Sequence, residues 1–153
     1  MPGYILDTSA ILTVLQDEPG TQTVLELLES ARAGDIAVHL PFMALMELEY
    51  QSLRRLGPGE THRILGLVSS WPVRIAQSTE PWQHEAAQIK VSAQVSVADA
   101  WICSLARLLD AELVHKDPEY DTVTDLQVLR LPYKPRTEQD KSTGTGSQLQ
   151  RHK

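Results

Sequence analysis

Five short β-prone runs separated by longer stretches of helical period restrict the fold of this chain more than any other feature. The runs cover residues 4–6, 36–40, 73–76, 112–115 and 128–131. Strands that alternate with helices are joined by crossovers, which gives a parallel sheet with helices on both faces. The expected fold class is therefore α/β, a three-layer α/β/α sandwich around a central, mainly parallel sheet. Over residues 23–33, Val24, Leu27, Leu28 and Ala31 share one helical face, and Pro41 is suited to open a helix carrying Met43, Met46 and Tyr50. The longest regular pattern starts at Ser96 and takes in Val97, Ala98, Trp101, Ile102, Leu105, Ala106 and Leu109. No repeat of solenoid length interrupts this order.

With 153 residues, 42% of them hydrophobic, the chain can bury one core of ordinary size. A single domain over residues 1–135 is expected, followed by a disordered tail at 136–153, where Thr, Ser, Gly, Gln and charged residues replace the aliphatic ones. Residues 1–135 hold 10 basic and 18 acidic side chains, net −8, so bulk cationic attraction to nucleic acid is excluded as the mode of binding. Cys103 is the only cysteine, which excludes an internal disulfide and a thiolate zinc cage. No window approaches the roughly 18 apolar residues of a membrane span, and the start, Met1-Pro2-Gly3-Tyr4, has no signal-like pattern. A cytoplasmic protein without membrane attachment is expected.

Four acids stand where chemistry could be done. Asp7 ends the run Tyr4-Ile5-Leu6, and Asp117 stands in the same relation to Leu113-Val114-His115. Ligand sites of open parallel sheets lie at the carboxyl ends of strands, so two acids 110 residues apart can share one crevice. Asp99 falls in the first turn of the helix that begins near Ser96. Glu47 sits among Met43, Ala44, Leu45, Met46 and Leu48, where a carboxylate needs water, a partner or a metal. Each acid also has a purely structural reading. Ser96-Val97-Ala98-Asp99 resembles a capping box, Asp117-Pro118 reads as an N-cap, Asp7 could cap its own helix, and Glu47 could lie on a solvated face beside Glu49. Convergence of all four would change the balance, because clustered carboxylates repel one another unless a cation intervenes. An all-oxygen set favours Mg²⁺ or Mn²⁺ over zinc.

Other signals carry less. His84-Glu85-Ala86-Ala87-Gln88 has Gln88 where a zinc-protease helix needs its second histidine, and Gly57-Pro58-Gly59 reads as a turn between helices. Cys103 and Trp101 follow the core period of their helix. His115 reads as a strand-end residue beside the proposed site. Lys90, Lys116 and Arg107 are cations that could meet a phosphate, each with a solvated surface charge as the simpler reading.

Taken in order, Tyr4-Ile5-Leu6-Asp7-Thr8-Ser9-Ala10, Leu45-Met46-Glu47-Leu48, Ser96-Val97-Ala98-Asp99-Ala100 and Leu113-Val114-His115-Lys116-Asp117 resemble the acidic motifs of the PIN-domain ribonucleases, and most of all the VapC-like toxins of type II toxin–antitoxin pairs. The resemblance implies a PIN-like sandwich, a Mg²⁺- or Mn²⁺-dependent endoribonuclease acting on RNA, frequent homodimers, and a small antitoxin that occupies the groove. Carried over by motif, Asp7, Glu47, Asp99 and Asp117 form the acidic metal site, and Thr8 or Ser9 is the hydroxyl beside the first acid. His115 departs from the pattern, since many relatives carry Ser or Thr there. Asp121 is placed to supplement or orient Asp117. Two other functions compete: an aspartyl-phosphate phosphohydrolase with Asp7 as nucleophile, which usually needs an acid where Ser9 stands, and a PIN-like module that binds RNA or protein without cutting.

Overall fold

The computed structural model describes residues 1–132, so the expected tail and the last three residues of the expected domain lie outside the described part. Five strands, β1 (Gly3–Leu6), β2 (Ala37–Pro41), β3 (Arg74–Ala76), β4 (Glu112–His115) and β5 (Val128–Arg130), form one sheet in the order β3-β2-β1-β4-β5. Every pairing is parallel. Each of the five expected strands is present, within a residue or so of its expected bounds.

Five helices connect them: α1 (Thr8–Leu15), α2 (Thr21–Ala33), α3 (Phe42–Ser69), α4 (Glu80–Ser92) and α5 (Val97–Leu108). Alternation along the strands divides the core in two. Ile5 and Leu113 point to the face covered by α4 and α5, where they meet Trp82, Ile89, Ile102 and Leu105. Leu6, Val38, Leu40 and Val114 point the other way, onto Ile11, Val24, Leu28 and Leu48 of α1, α2 and α3. Both faces are covered, and that is why the strands read as apolar runs. Trp101 packs edge-on against Phe42 and Trp82, and the Cys103 thiol is buried, as their helical period implies. Among the described residues no helix is long and apolar enough to cross a membrane.

Two details differ from expectation or sharpen it. Pro41 does not open α3 from inside. It pairs with Ala76 at the end of β2, keeps an extended backbone (ψ 142°) and stands at the N-cap, so the helix begins one residue later. The Gly57-Pro58-Gly59 turn breaks α3 at Gly57, whose φ of 79° and ψ of 176° suit only glycine, and Thr61 Oγ1 donates to the Gly57 carbonyl at 2.7 Å. A side chain at position 57 would meet nothing within 4 Å, so the penalty there is conformational and not steric. Gly57→Ala should lower stability by about 1–3 kcal/mol, measured by urea unfolding, with the cleft described below left intact.

Candidate active site

The chain runs β1, β2, β3 toward one edge of the sheet and then crosses back to place β4 and β5 on the other side of β1. The strand order therefore reverses between β1 and β4, and their carboxyl ends frame the crevice. Leu6 pairs with Val114, and the Asp7 amide extends the ladder by donating to the Val114 carbonyl at 3.1 Å. Asp7 is thereby held beside the end of β4. Glu47 arrives from the second turn of α3, which starts directly after β2, and Asp99 from the first turn of α5. These four acids, with Thr8, Ser9, Leu12 and Gln51, line one cleft of about 200 Å³.

Ser9 ties the first and last of these segments together. Its hydroxyl donates to Asp7 Oδ2 at 2.7 Å and accepts the Lys116 amide at 3.1 Å. Asp7 stands at the N-cap of α1, yet its carboxylate makes no capping bond and turns to Ser9 instead. Asp117 does cap the following 3-10 helix (Pro118–Thr122), accepting the Glu119 amide at 2.9 Å, and faces the cleft as well. Ser96 caps α5 by accepting the Asp99 amide, while the Asp99 carboxylate accepts the Tyr120 hydroxyl at 3.0 Å. The capping readings thus hold for backbone or for Asp117, and they leave the carboxylates of Asp7 and Asp99 for the cleft.

The electrostatics follow from this crowding. Burial raises the Asp7 carboxyl to about 6, with the Asp99 charge adding to the rise and the Ser9 hydroxyl opposing it. Burial, then the charges of Asp7 and Asp99, push Glu47 up to about 7. Glu119 is raised by a hydrogen bond shared with Asp99 and by the charges of Asp117 and Asp99. His115 is fully buried, and burial and Arg130 hold it below its ordinary value, so the neutral ring accepts the Asp117 amide at Nδ1 (3.0 Å).

The donor set fits a hard divalent cation. Asp99, Asp117 and Glu119 bring one carboxylate oxygen each within 4.8 Å of one another. Glu47 Oε1 and Thr8 Oγ1 are buried without a partner among the described residues, an arrangement that costs free energy unless something else is bound. Asp7 and Glu47 border the same space and carry charges that repel.

The other residues singled out from the sequence lie apart from the cleft lining. Lys116 Nζ pairs with Glu18 at 3.1 Å, with both side chains mostly buried. Arg107 reaches Glu85 and the Thr124 carbonyl at the far end of α5, Lys90 Nζ donates to the Val95 carbonyl, and Asp121 pairs with Arg130. Sequence reasoning passed over Glu119, Tyr120 and Gln51. Gln51 follows Glu47 by four residues on the same helical face, a spacing that was there to be read. Glu119 was hidden inside an acidic run that looked like a capped turn.

The chain is an all-parallel α/β/α sandwich with four acids converging where two central strands end. A family model described as the PIN domain matches residues 4–126, and the chain belongs to that family. No curated protein matches this sequence. Among solved structures, the fold is similar to a chain of VapBC2 from Rickettsia felis, bound there to a promoter DNA fragment (TM-score 0.71, 18% identity, 85% of this chain and 99% of that one). It is also similar to DNA-bound VapBC from Salmonella typhimurium (0.69, 18%, 85% and 98%). A third, VapC20 from Mycobacterium tuberculosis, described as a sarcin-ricin loop cleaving toxin, matches at 0.59 with 16% identity over 77% of this chain and 92% of that one.

Unfolded, Asp7 and Glu47 ionise near 3.8 and 4.5; folded, they keep their protons up to about 6 and about 7. Between these values the folded chain binds more protons than the unfolded one, so stability falls as pH rises. Without divalent metal, the melting temperature should drop as pH rises from about 4 to about 8, with Asp7 contributing at most about 3 kcal/mol over the whole interval. A hard divalent cation should restore it at the higher pH and do little at the lower. A metal-free melting temperature that rises over this interval would contradict the assignment of buried, mutually repelling acids.

Proposed function

We propose that the chain is a Mg²⁺- or Mn²⁺-dependent endoribonuclease, the toxin of a type II toxin–antitoxin pair. The observation that carries this reading is the convergence of Asp7, Glu47, Asp99 and Asp117 on one cleft with no cationic side chain among its lining residues. Asp7, Asp99 and Asp117 would hold the metal, with Glu47 beside them and Glu119 within reach. A divalent ion in such a site supplies the counter-charge for phosphate oxygens and lowers the pKa of water.

The chain's own groups divide the remaining work. Ser9 fixes the rotamer of Asp7, and Tyr120 does the same for Asp99. The Gln51 amide is a neutral group of the cleft lining available to phosphate or ribose oxygens, while Thr8 Oγ1 is buried in the wall with no partner among the described residues. The Glu47 carboxyl, raised to about 7 in the metal-free site, is suited to exchange a proton near neutrality. A phosphohydrolase would need a second acid where Ser9 stands, and the Ser9 hydroxyl is committed to Asp7 and the Lys116 amide.

Toxin–antitoxin complexes among the similar structures support a small protein partner. A second groove, lined by Leu15, Leu56, Ile64, Arg55 and Arg63, shares Leu12 and Gln51 with the acid cleft. Met46, Tyr50, Leu53 and Leu56 expose an apolar stripe along the first half of α3. An antitoxin segment lying along this groove would reach the acids. Leu56→Asp should abolish co-purification with the co-encoded partner while the unfolding free energy changes by less than about 1 kcal/mol, because the site is on the surface.

The central test is cleavage of single-stranded and structured RNA by the purified protein with Mg²⁺ or Mn²⁺. Asp7→Asn and Asp99→Asn should each reduce the rate by at least about 100-fold. Asp7→Asn should also stabilise the metal-free protein at about pH 8, by about 1–3 kcal/mol, because a buried repelling charge is removed. A folded wild-type protein that cuts no RNA with either metal refutes the nuclease.

A further inference from the structure

Two of the acids are held by residues of the same short segment. The Asp117 amide donates to His115 Nδ1 at 3.0 Å, and the Tyr120 hydroxyl donates to Asp99 Oδ1 at 3.0 Å. The two rings lie against each other, centroids 4.8 Å apart and planes at 70°, and both side chains are buried, His115 at 0% and Tyr120 at 2% exposure. His115 Nε2 has no hydrogen-bond partner among the described residues, while Nδ1 of this fully buried ring accepts the Asp117 backbone amide. Burying an imidazole with one nitrogen unpaired costs free energy, and an aliphatic side chain would fill the space without that penalty.

We propose that His115 and Tyr120 form a buried clasp that sets the separation of Asp117 and Asp99, making both positioning residues of the metal site. The inference rests on the metal-site reading above. His115 acts through the Asp117 amide, fixing where the backbone of that residue leaves β4, and Tyr120 acts on the Asp99 carboxylate directly. Edge-on contact between the rings makes the two adjustments interdependent. The imidazole does both jobs at once, accepting the Asp117 amide and packing on the phenol.

The geometry gives a discriminating pair of variants. Nδ1 is bonded to Cγ, as is the Oδ1 of asparagine, whereas the carbonyl of glutamine lies one bond further out, near the place of Nε2. His115→Asn therefore keeps the acceptor for the Asp117 amide and His115→Gln does not. In the metal-free wild type, nuclear magnetic resonance should detect coupling across the Asp117 N–H to His115 Nδ1 hydrogen bond. The Asp117 amide should exchange slowly in wild type and His115→Asn, and at least about tenfold faster in His115→Gln. Mn²⁺ affinity, measured by calorimetry, should fall about 10–100-fold in His115→Gln and in Tyr120→Phe, with His115→Asn recovering most of it.

Absence of the cross-bond coupling in wild type overturns the clasp whether or not the variants fold. Equal Mn²⁺ affinity in His115→Asn and His115→Gln overturns it too, and leaves the metal site standing. A wild type that shows the coupling but binds no Mn²⁺ overturns the metal-site reading and, with it, any role of the clasp in positioning ligands.

Discussion

The pairing of β1 with β4 is the interaction on which the rest of the molecule depends. It joins segments more than 100 residues apart, and its register, Leu6 opposite Val114, decides which side chains enter which core. Ile5 and Leu113 fill one layer, Leu6 and Val114 the other, all four at 0% exposure. A slip of one residue would send each of these to the wrong face, and every such side chain is worth about 1.5–3 kcal/mol of burial. The same register carries the Asp7 amide onto the Val114 carbonyl and places Ser9 between the Asp7 carboxylate and the Lys116 amide. Core packing and site geometry are therefore one constraint. The acids do not need to be held together by attraction, because the sheet holds them together against repulsion.

That repulsion has a direction. Asp7 and Glu47 are raised by burial first and by neighbouring acids second, and Thr8 Oγ1 and Glu47 Oε1 are left without partners among the described residues. In a fold optimised only for stability these atoms would be paired or replaced by apolar groups. Their retention, at the crevice where β1 and β4 end, means that the free energy lost in the apo state is available as affinity for whatever neutralises them. A cation that binds the folded chain and not the unfolded one returns it by mass action.

Much of this was legible in the sequence, for identifiable reasons. The five strands are short, apolar and bounded by turn residues, and because both faces are covered their signal does not depend on alternation. Asp7 and Asp117 could be placed because strand ends are visible as abrupt changes from apolar to acidic residues. Glu47 stood out as a charge in an apolar helical stretch. What the sequence did not show was direction. The Ser96–Asp99 cap is real, but only the Asp99 amide takes part, and nothing local tells that the carboxylate turns to Tyr120. Lys116 looked available for RNA because its sequence neighbours are site residues; its partner, Glu18, comes from the loop after α1 and is adjacent only in space. Pro41 was misjudged by one position because its extended backbone is fixed by the ladder to β3, a long-range pairing that helix-start preferences do not register.

The placement of cations bears on how an acidic protein handles an acidic polymer. Lys116, Arg107 and Lys90 are drawn to Glu18, to Glu85 and the Thr124 carbonyl, and to the Val95 carbonyl, where each supports the fold. The cleft is lined by four carboxylates and by neutral groups, so in the metal-free state its field repels a phosphate. Under the function proposed above, a divalent ion held there would offset part of that charge and offer a phosphate oxygen a cationic contact, while the protein as a whole stays negative. Any attraction would be confined to within about a Debye length of the site, roughly 8–10 Å at ordinary salt. A segment that blocks the cleft, or that withdraws the ion from the acids, would therefore remove substrate binding and chemistry together. Under the function proposed above, a partner lying along the neighbouring groove past Leu12 and Gln51 needs to cover very little surface to silence the site.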